Sequence, residues 1–279
     1  MHKRHELVPI TIAFVLTALL TLSAAGAANA QSVFYLSVGT SLSVGVQPNS
    51  AGRNRRTQEG YANQLHTMAA RPGLQLVKLG CPGETSVTMV TGGVCDYTLG
   101  SQLAQAVRFL EDHAGSVAFV TIDMGANDIE PCGSLMGVDQ QLCVVQAIGN
   151  VATNLPQIVG ALRIAAGPDV PIIGMNYYNP FLASWFQDPA LALASTNLQI
   201  AFNTLLASIY GISTFGVQLA DVAEAFSSYD TTPLGGIPVN VLTVCQLTWM
   251  CAPPPVGPNI HANVDGYAVI AATFLPLLP

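Results

Sequence analysis

Five short apolar runs punctuate the chain: VFYLSV (33–38), LQLVKL (74–79), VAFVTID (117–123), VPIIGM (170–175) and STFGVQL (213–219). Each is largely β-branched or apolar, as a strand covered on both faces must be. Between them lie longer stretches of helical character, at about 60–70, 100–114, 139–166, 190–210 and 263–275. In SQLAQAVRFLEDH, for example, Leu103, Val107 and Leu110 recur at helical spacing with polar residues between them. Alternation of this kind predicts an α/β fold with a five-stranded parallel sheet and crossover helices. Residues 227–260 fit neither pattern. Nine prolines and glycines fall between 233 and 258, which predicts a loop-rich insertion that delivers the chain to His261.

The first thirty residues follow another logic. Lys3 and Arg4 precede an almost wholly apolar stretch from 8 to 25, and Ala28-Asn29-Ala30 has the small-x-small form of a signal peptidase site. A leader over 1–30 and one domain over 31–279 are expected, with secretion after cleavage near Ala30. An uncleaved anchor is the competing reading. No later segment is read as long and apolar enough to span a bilayer.

Removing the leader takes Lys3, Arg4 and Glu6 and leaves a formal charge of −8. So acidic a chain offers no footprint for nucleic acid. All six cysteines, 81, 95, 132, 143, 245 and 251, lie beyond the leader, and an even count in an exported chain reads as disulfides. Fifteen pairings are possible. Grouping into sequence-local couples favours Cys81–Cys95, Cys132–Cys143 and Cys245–Cys251. A zinc site is disfavoured, because no Cys-x-x-Cys occurs and only three histidines remain.

Open parallel sheets bind ligands beyond the carboxyl ends of their strands. After the first strand stands Gly39-Thr40-Ser41-Leu42, after the second GCPGETS with Gly83, and after the third MGANDIE with Asn127 and Asp128. His261 precedes the last helix. Taken singly, Ser41 reads as a turn or cap residue, Gly83 as a turn glycine, Asn127 as a loop residue and His261 as a satisfied surface histidine. Together they supply a hydroxyl nucleophile, an imidazole to take its proton and donors for an oxyanion. The Gly-x-Ser-x-Gly elbow is absent, since Ser43 stands where the second glycine would be. No Walker loop or dinucleotide fingerprint occurs.

These four stretches, in this order, resemble the sequence blocks of the SGNH, or GDSL, hydrolases, most closely the secreted bacterial lipases and esterases. The similarity runs from residue 33 to the C-terminus. It implies a three-layer α/β/α, flavodoxin-like fold and a serine hydrolase of carboxylic esters that needs no metal or organic cofactor. Ser41 would be the nucleophile and His261 the base. The oxyanion hole would be formed by Ser41 and Gly83 through their main chains and Asn127 through its side chain. The expected substrate is a small-molecule or lipid ester, and the protein is expected to be a monomer. A carbohydrate acetylesterase and an inactive binding module on the same scaffold are the alternatives.

Two positions depart from the family pattern. Thr40 stands in place of the usual aspartate; it can hydrogen-bond within the turn but brings no negative charge beside the nucleophile. Pro258 and Asn259 stand where an aspartate usually precedes the histidine. An asparagine amide can stabilise the wrong imidazole tautomer. A main-chain carbonyl near Pro258 is therefore expected to orient His261, with Asn259 secondary. Apolar residues in NYYNPFLASWF (176–186) are candidates to line a lipid-accepting cleft.

Overall fold

In the computed structural model, which describes residues 33–135 and 137–279, the chain builds a central sheet by returning repeatedly to parallel strands. The leader expected over 1–30 lies outside the described residues. The first half runs through β1 (Val33–Gly39), β2 (Val46–Pro48), β3 (Asn54–Arg56), α1 (Tyr61–Ala69), β4 (Leu74–Lys78), α2 (Ser86–Thr91), α3 (Gln102–Asp112), β5 (Val117–Asp123) and α4 (Ala126–Ile129). Next come α5 (Gly137–Ala166), β6 (Ile172–Met175), α6 (Pro189–Tyr210), β7 (Val217–Ala220) and α7 (Val222–Ala225). The chain closes with β8 (Pro233–Leu234), β9 (Ile237–Pro238), α8 (Val239–Leu247) and α9 (Val264–Phe274).

The central sheet has the order β4-β1-β5-β6-β7, and all its pairings are parallel. Side chains of a strand alternate between faces, so a run of consecutive buried residues means cover on both sides. Residues 35–39 of β1 and 118–123 of β5 form such runs. Helices α1 and α9 pack together, with Tyr61 stacked on Phe274 at 5.1 Å, while α3, α5 and α6 form a second contiguous group. Polar caps start three of the longer helices. Ser101 caps α3, Asp188 followed by Pro189 caps α6, and Asn263 caps α9 two residues after His261.

Three expectations need correction. The insertion at 227–260 contains a regular helix, α8, and the two-residue strands β8 and β9, because the apolar run VNVLTVCQL sits between its glycines and prolines. The last central strand begins at Val217 rather than 213, since the chain turns at 213–215 and Gly216 takes a φ of 57°. Finally, α5 and α6 are each long and apolar enough to cross a membrane, with mean hydropathy 1.3, contrary to the reading that no later segment qualifies. Their apolar character is only partly spent on the core. In α5 a stripe of Val151, Leu155, Ile158 and Leu162 is buried, whereas Val138, Leu142 and Val145 at its start are exposed.

The disulfides are Cys81–Cys95, Cys132–Cys143 and Cys245–Cys251. The first ties the segment after β4 to the chain ahead of α3. The last braces the approach to His261.

Candidate active site

The strand order changes direction between β4-β1 and β5, so the carboxyl ends of β1 and β5 flank the crevice where such sheets bind ligands. At the end of β1, Gly39 has a φ of 134° and lies so close to Asp123 that a Cβ would collide with it. Its N–H donates to Gln102 Oε1 at 2.6 Å, and its carbonyl accepts from Gln102 Nε2 at 2.9 Å and from the Cys81 N–H at 3.0 Å. The chain then turns through 40–45. Ser43 has a structural part in that turn, donating its hydroxyl to the Thr40 carbonyl at 2.7 Å. Ser41 is left 8% exposed and lines the cavities beside the turn.

Thr40 has an acid for a partner. Its N–H and its hydroxyl donate to Asp123 Oδ2 at 3.1 and 2.6 Å, and the Tyr61 hydroxyl donates to Oδ1 at 2.9 Å. Thr40 brings no charge of its own, but it ties the serine block to a carboxyl that the neighbouring strand supplies. Burial pushes the Asp123 carboxyl up to about 7, against the lowering effect of these donors. The sequence signal was present but unread: one acid closes an otherwise uncharged strand, VAFVTID.

Two further links join the blocks after β4 and β5. Asn127 Nδ2 donates to the Glu84 carbonyl at 2.9 Å. Asp128 accepts from the N–H and hydroxyl of Ser86, at 2.8 and 2.7 Å, and so holds the start of α2. Gly83 directly precedes Glu84 at a φ of 84°, a conformation that favours glycine. One amide hydrogen of Asn127 is engaged in positioning, and the amide carries a second.

His261 is held from several directions. Its carbonyl accepts from the Trp249 N–H at 3.0 Å, and the neighbouring Ile260 carbonyl accepts from the Tyr178 hydroxyl at 2.8 Å. Its Nδ1 lies 2.7 Å from Asn259 Oδ1. The same oxygen accepts the His261 main-chain N–H at 3.1 Å, which identifies it as the acceptor end of the amide. The amide nitrogen is turned away and donates to Asn54 Oδ1 at 2.7 Å. The Asn259 side chain, rather than a carbonyl near Pro258, is thus the partner of the imidazole. Asn54, on β3, removes the tautomer objection by occupying the end that would stabilise the wrong form. Burial lowers the His261 pKa to about 4.

Ser41, Asn127 and His261 stand in the shared wall of two cavities. One is apolar, about 120 Å³, and is lined by Leu42, Tyr177, Phe181, Leu198 and Phe202 among others. Part of the 176–186 stretch therefore lines it, while Trp185 and Phe186 do not. The other is a wider polar cleft of about 750 Å³, where Gly83 joins the set together with Asn54, Arg55 and Arg56. All four residues singled out in the sequence meet there.

Residues 37–269 match the family described as GDSL-like Lipase/Acylhydrolase. No curated protein matches the chain. Among solved structures it resembles an extracellular lipase from Streptomyces rimosus, at 17% identity over 88% of this chain and 97% of that one, with a TM-score of 0.57. A phospholipase A1 from Streptomyces albidoflavus aligns at 17% identity over 88% and 98%, with a TM-score of 0.58. An acetyl xylan esterase from Geobacillus stearothermophilus aligns at 18% identity over 88% and 94%, with a TM-score of 0.51. At these identities the likeness is one of fold.

Proposed function

Because the chain belongs to the GDSL-like lipase/acylhydrolase family and is a carboxylic ester hydrolase, we propose that it cleaves esters through an acyl-enzyme on Ser41. His261 Nε2 takes the Ser41 proton as the oxygen attacks the carbonyl, then returns it to the leaving alcohol. Water repeats the sequence and frees the acid. The negative oxygen of each tetrahedral intermediate is received by the N–H groups of Ser41 and Gly83 and the Asn127 amide. The protein acts outside the cell, a reading supported by the N-terminal leader pattern and the three disulfides.

One observation carries this reading: an apolar cavity and a polar cleft meet at Ser41 and His261. An ester bound across the junction would leave its acyl chain among Tyr177, Phe181 and Phe202 and its alcohol part in the cleft. An apolar cavity of roughly 150 Å³ takes up benzene, so about 120 Å³ suits a chain of a few carbons. The substrate is therefore an ester of a short acyl chain rather than an acetylated carbohydrate, because an acetyl group would leave most of the cavity unfilled.

Ser41→Ala should abolish both turnover and labelling by a fluorophosphonate while leaving the melting temperature nearly unchanged. Asn127→Ala should raise the barrier by about 2.7–4 kcal/mol, a hundred- to a thousandfold in rate. In a series of nitrophenyl esters, activity should peak at about four to six carbons. An acetate optimum would instead favour the deacetylase reading, and full labelling of Ser41→Ala would refute the nucleophile.

A further inference from the structure

The wide cleft bears on what the alcohol part of the substrate carries. Seven lysines and arginines follow residue 30, and three of them are Arg53, Arg55 and Arg56. A chain of net charge −8 beyond its leader thus gathers nearly half its positive charge at the β2–β3 hairpin. Arg55 and Arg56 both line the cleft that holds Ser41, Gly83, Asn127 and His261. Both are exposed. Among the described residues the ion pair is Arg108–Asp112, far along the chain on α3, so neither Arg55 nor Arg56 is ion-paired with a carboxylate of those residues.

Arg56 is not simply loose in solvent. Its guanidinium lies 3.4 Å from Cys95 Sγ, at the closure of the loop that carries Gly83. Half-buried Lys78 has its pKa lowered by burial and then by the charge of Arg56, so a third cation stands nearby. The acid in the cleft is Glu130, and it also lines the apolar cavity. It therefore belongs to the wall the two spaces share, whereas Arg55 and Arg56 belong to the cleft alone. The proposed acyl transfer has no use for either guanidinium.

We propose that Arg55 and Arg56 select esters whose alcohol part bears an anionic group, a phosphate or a carboxylate, by receiving that group in the cleft while the ester carbonyl lies at Ser41. A guanidinium presents forked donors that match both anions. Local positive charge also offsets the repulsion that a net negative protein imposes on an anionic substrate. The chemistry at the ester is unchanged. The acyl group passes to Ser41, the alcohol leaves with the proton from His261 and with its anion intact, and water releases the acid. The inference rests on ester hydrolysis at Ser41 and deepens it.

The test uses three substrates with one butyryl chain: monobutyrylglycerol, its 3-phosphate, and the butyryl ester of glyceric acid. The measured quantity is the ratio of kcat/KM for each anionic ester to that of the neutral one. Exposed charges are worth little each, so the full-length protein should prefer the anions by roughly two- to thirtyfold at low salt. The preference should shrink toward one near 0.5 M salt, as a rough guide to where screening is strong. Arg55→Glu/Arg56→Glu should bring the ratio to one or below, and single Arg→Ala changes should fall between. A preference for the phosphate alone, or for both anions, supports the proposal and tells which group is read. A ratio of one in the unaltered protein, or a preference that survives the double substitution, overturns it. Absence of turnover on the neutral ester as well would overturn ester hydrolysis at Ser41 instead.

Discussion

At the scale of single residues, the orientation of His261 depends on an amide that could face either way. Asn259 is fixed because two donors, the N–H and Nδ1–H of His261, converge on Oδ1 while Asn54 accepts from Nδ2. Asn259→Ala would strand a buried imidazole N–H, a loss of about 1–3 kcal/mol. Activity should fall by roughly five- to over a hundredfold, less than for His261→Ala, and full activity in Asn259→Ala would exclude this partner. Because burial holds the imidazole near 4, the basic form persists into acid solution, and the acid limb of kcat/KM should lie near pH 4. Asn259→Asp places a negative charge on Nδ1 and favours the imidazolium. The acid limb should then move up by about 1–3 pH units. A limb that stays in place would show that the substituted side chain does not reach the ring.

At the scale of elements, the site is a meeting of turns held by short tethers. The turn after β1 is bound to β5 through Thr40 and Asp123, and to α3 through Gly39 and Gln102. The segment after β4 is bound to α4 by Asn127 and Asp128, and to the chain ahead of α3 by Cys81–Cys95. That bond closes a loop of sequence separation 14. Cross-linking a loop of about fifteen residues is worth roughly 3 kcal/mol by constraint of the unfolded chain. Cys81→Ala/Cys95→Ala should accordingly lower the melting temperature and also kcat, since Gly83 sits inside the loop. Loss of stability with unaltered kcat would mean that the tether does not position Gly83. Gly39→Ala should be more damaging still, because the new methyl would meet Asp123 at a positive φ.

At the scale of the whole molecule, Asp123 is the acid around which the turn after β1 is assembled, wholly buried between that turn and α1. Its carboxyl is raised from 3.8 in water to about 7 in the folded state. A raised acid binds its proton more tightly when folded, so this contribution to stability is full below about pH 4 and is lost as pH rises through about 7. Over that interval the loss amounts to ~4 kcal/mol at 1.36 kcal/mol per unit. Asp123→Asn can keep the contacts, with its oxygen toward Thr40 and its amide toward the Tyr61 hydroxyl, while removing the titration. The difference in melting temperature between the two proteins should therefore change steadily from pH 4 to 7 in favour of the variant. Parallel curves would refute the raised carboxyl.

Periodicity alone determined the five parallel strands, the main helices and the edge of the sheet where chemistry would gather, because strand burial and helical spacing are local consequences of side-chain polarity. The residues proposed for acyl transfer stood out for their placement, since Ser41, Gly83 and Asn127 each follow a strand and His261 precedes the last helix. What the sequence left undecided were relations across the chain. VNVLTVCQL looked like part of a loop because prolines and glycines surround it, and only its packing in the fold reveals α8. Thr40 looked like a lost charge because Asp123 is remote in sequence, yet parallel pairing of β1 with β5 sets Gly39 opposite Asp123 and restores a carboxyl to the turn. Asn259 looked like a poor substitute for an acid because its orientation is set by Asn54, on the β2–β3 hairpin. Which end of an amide faces a histidine is decided by the group that claims the other end, and only the tertiary structure brings that group into reach.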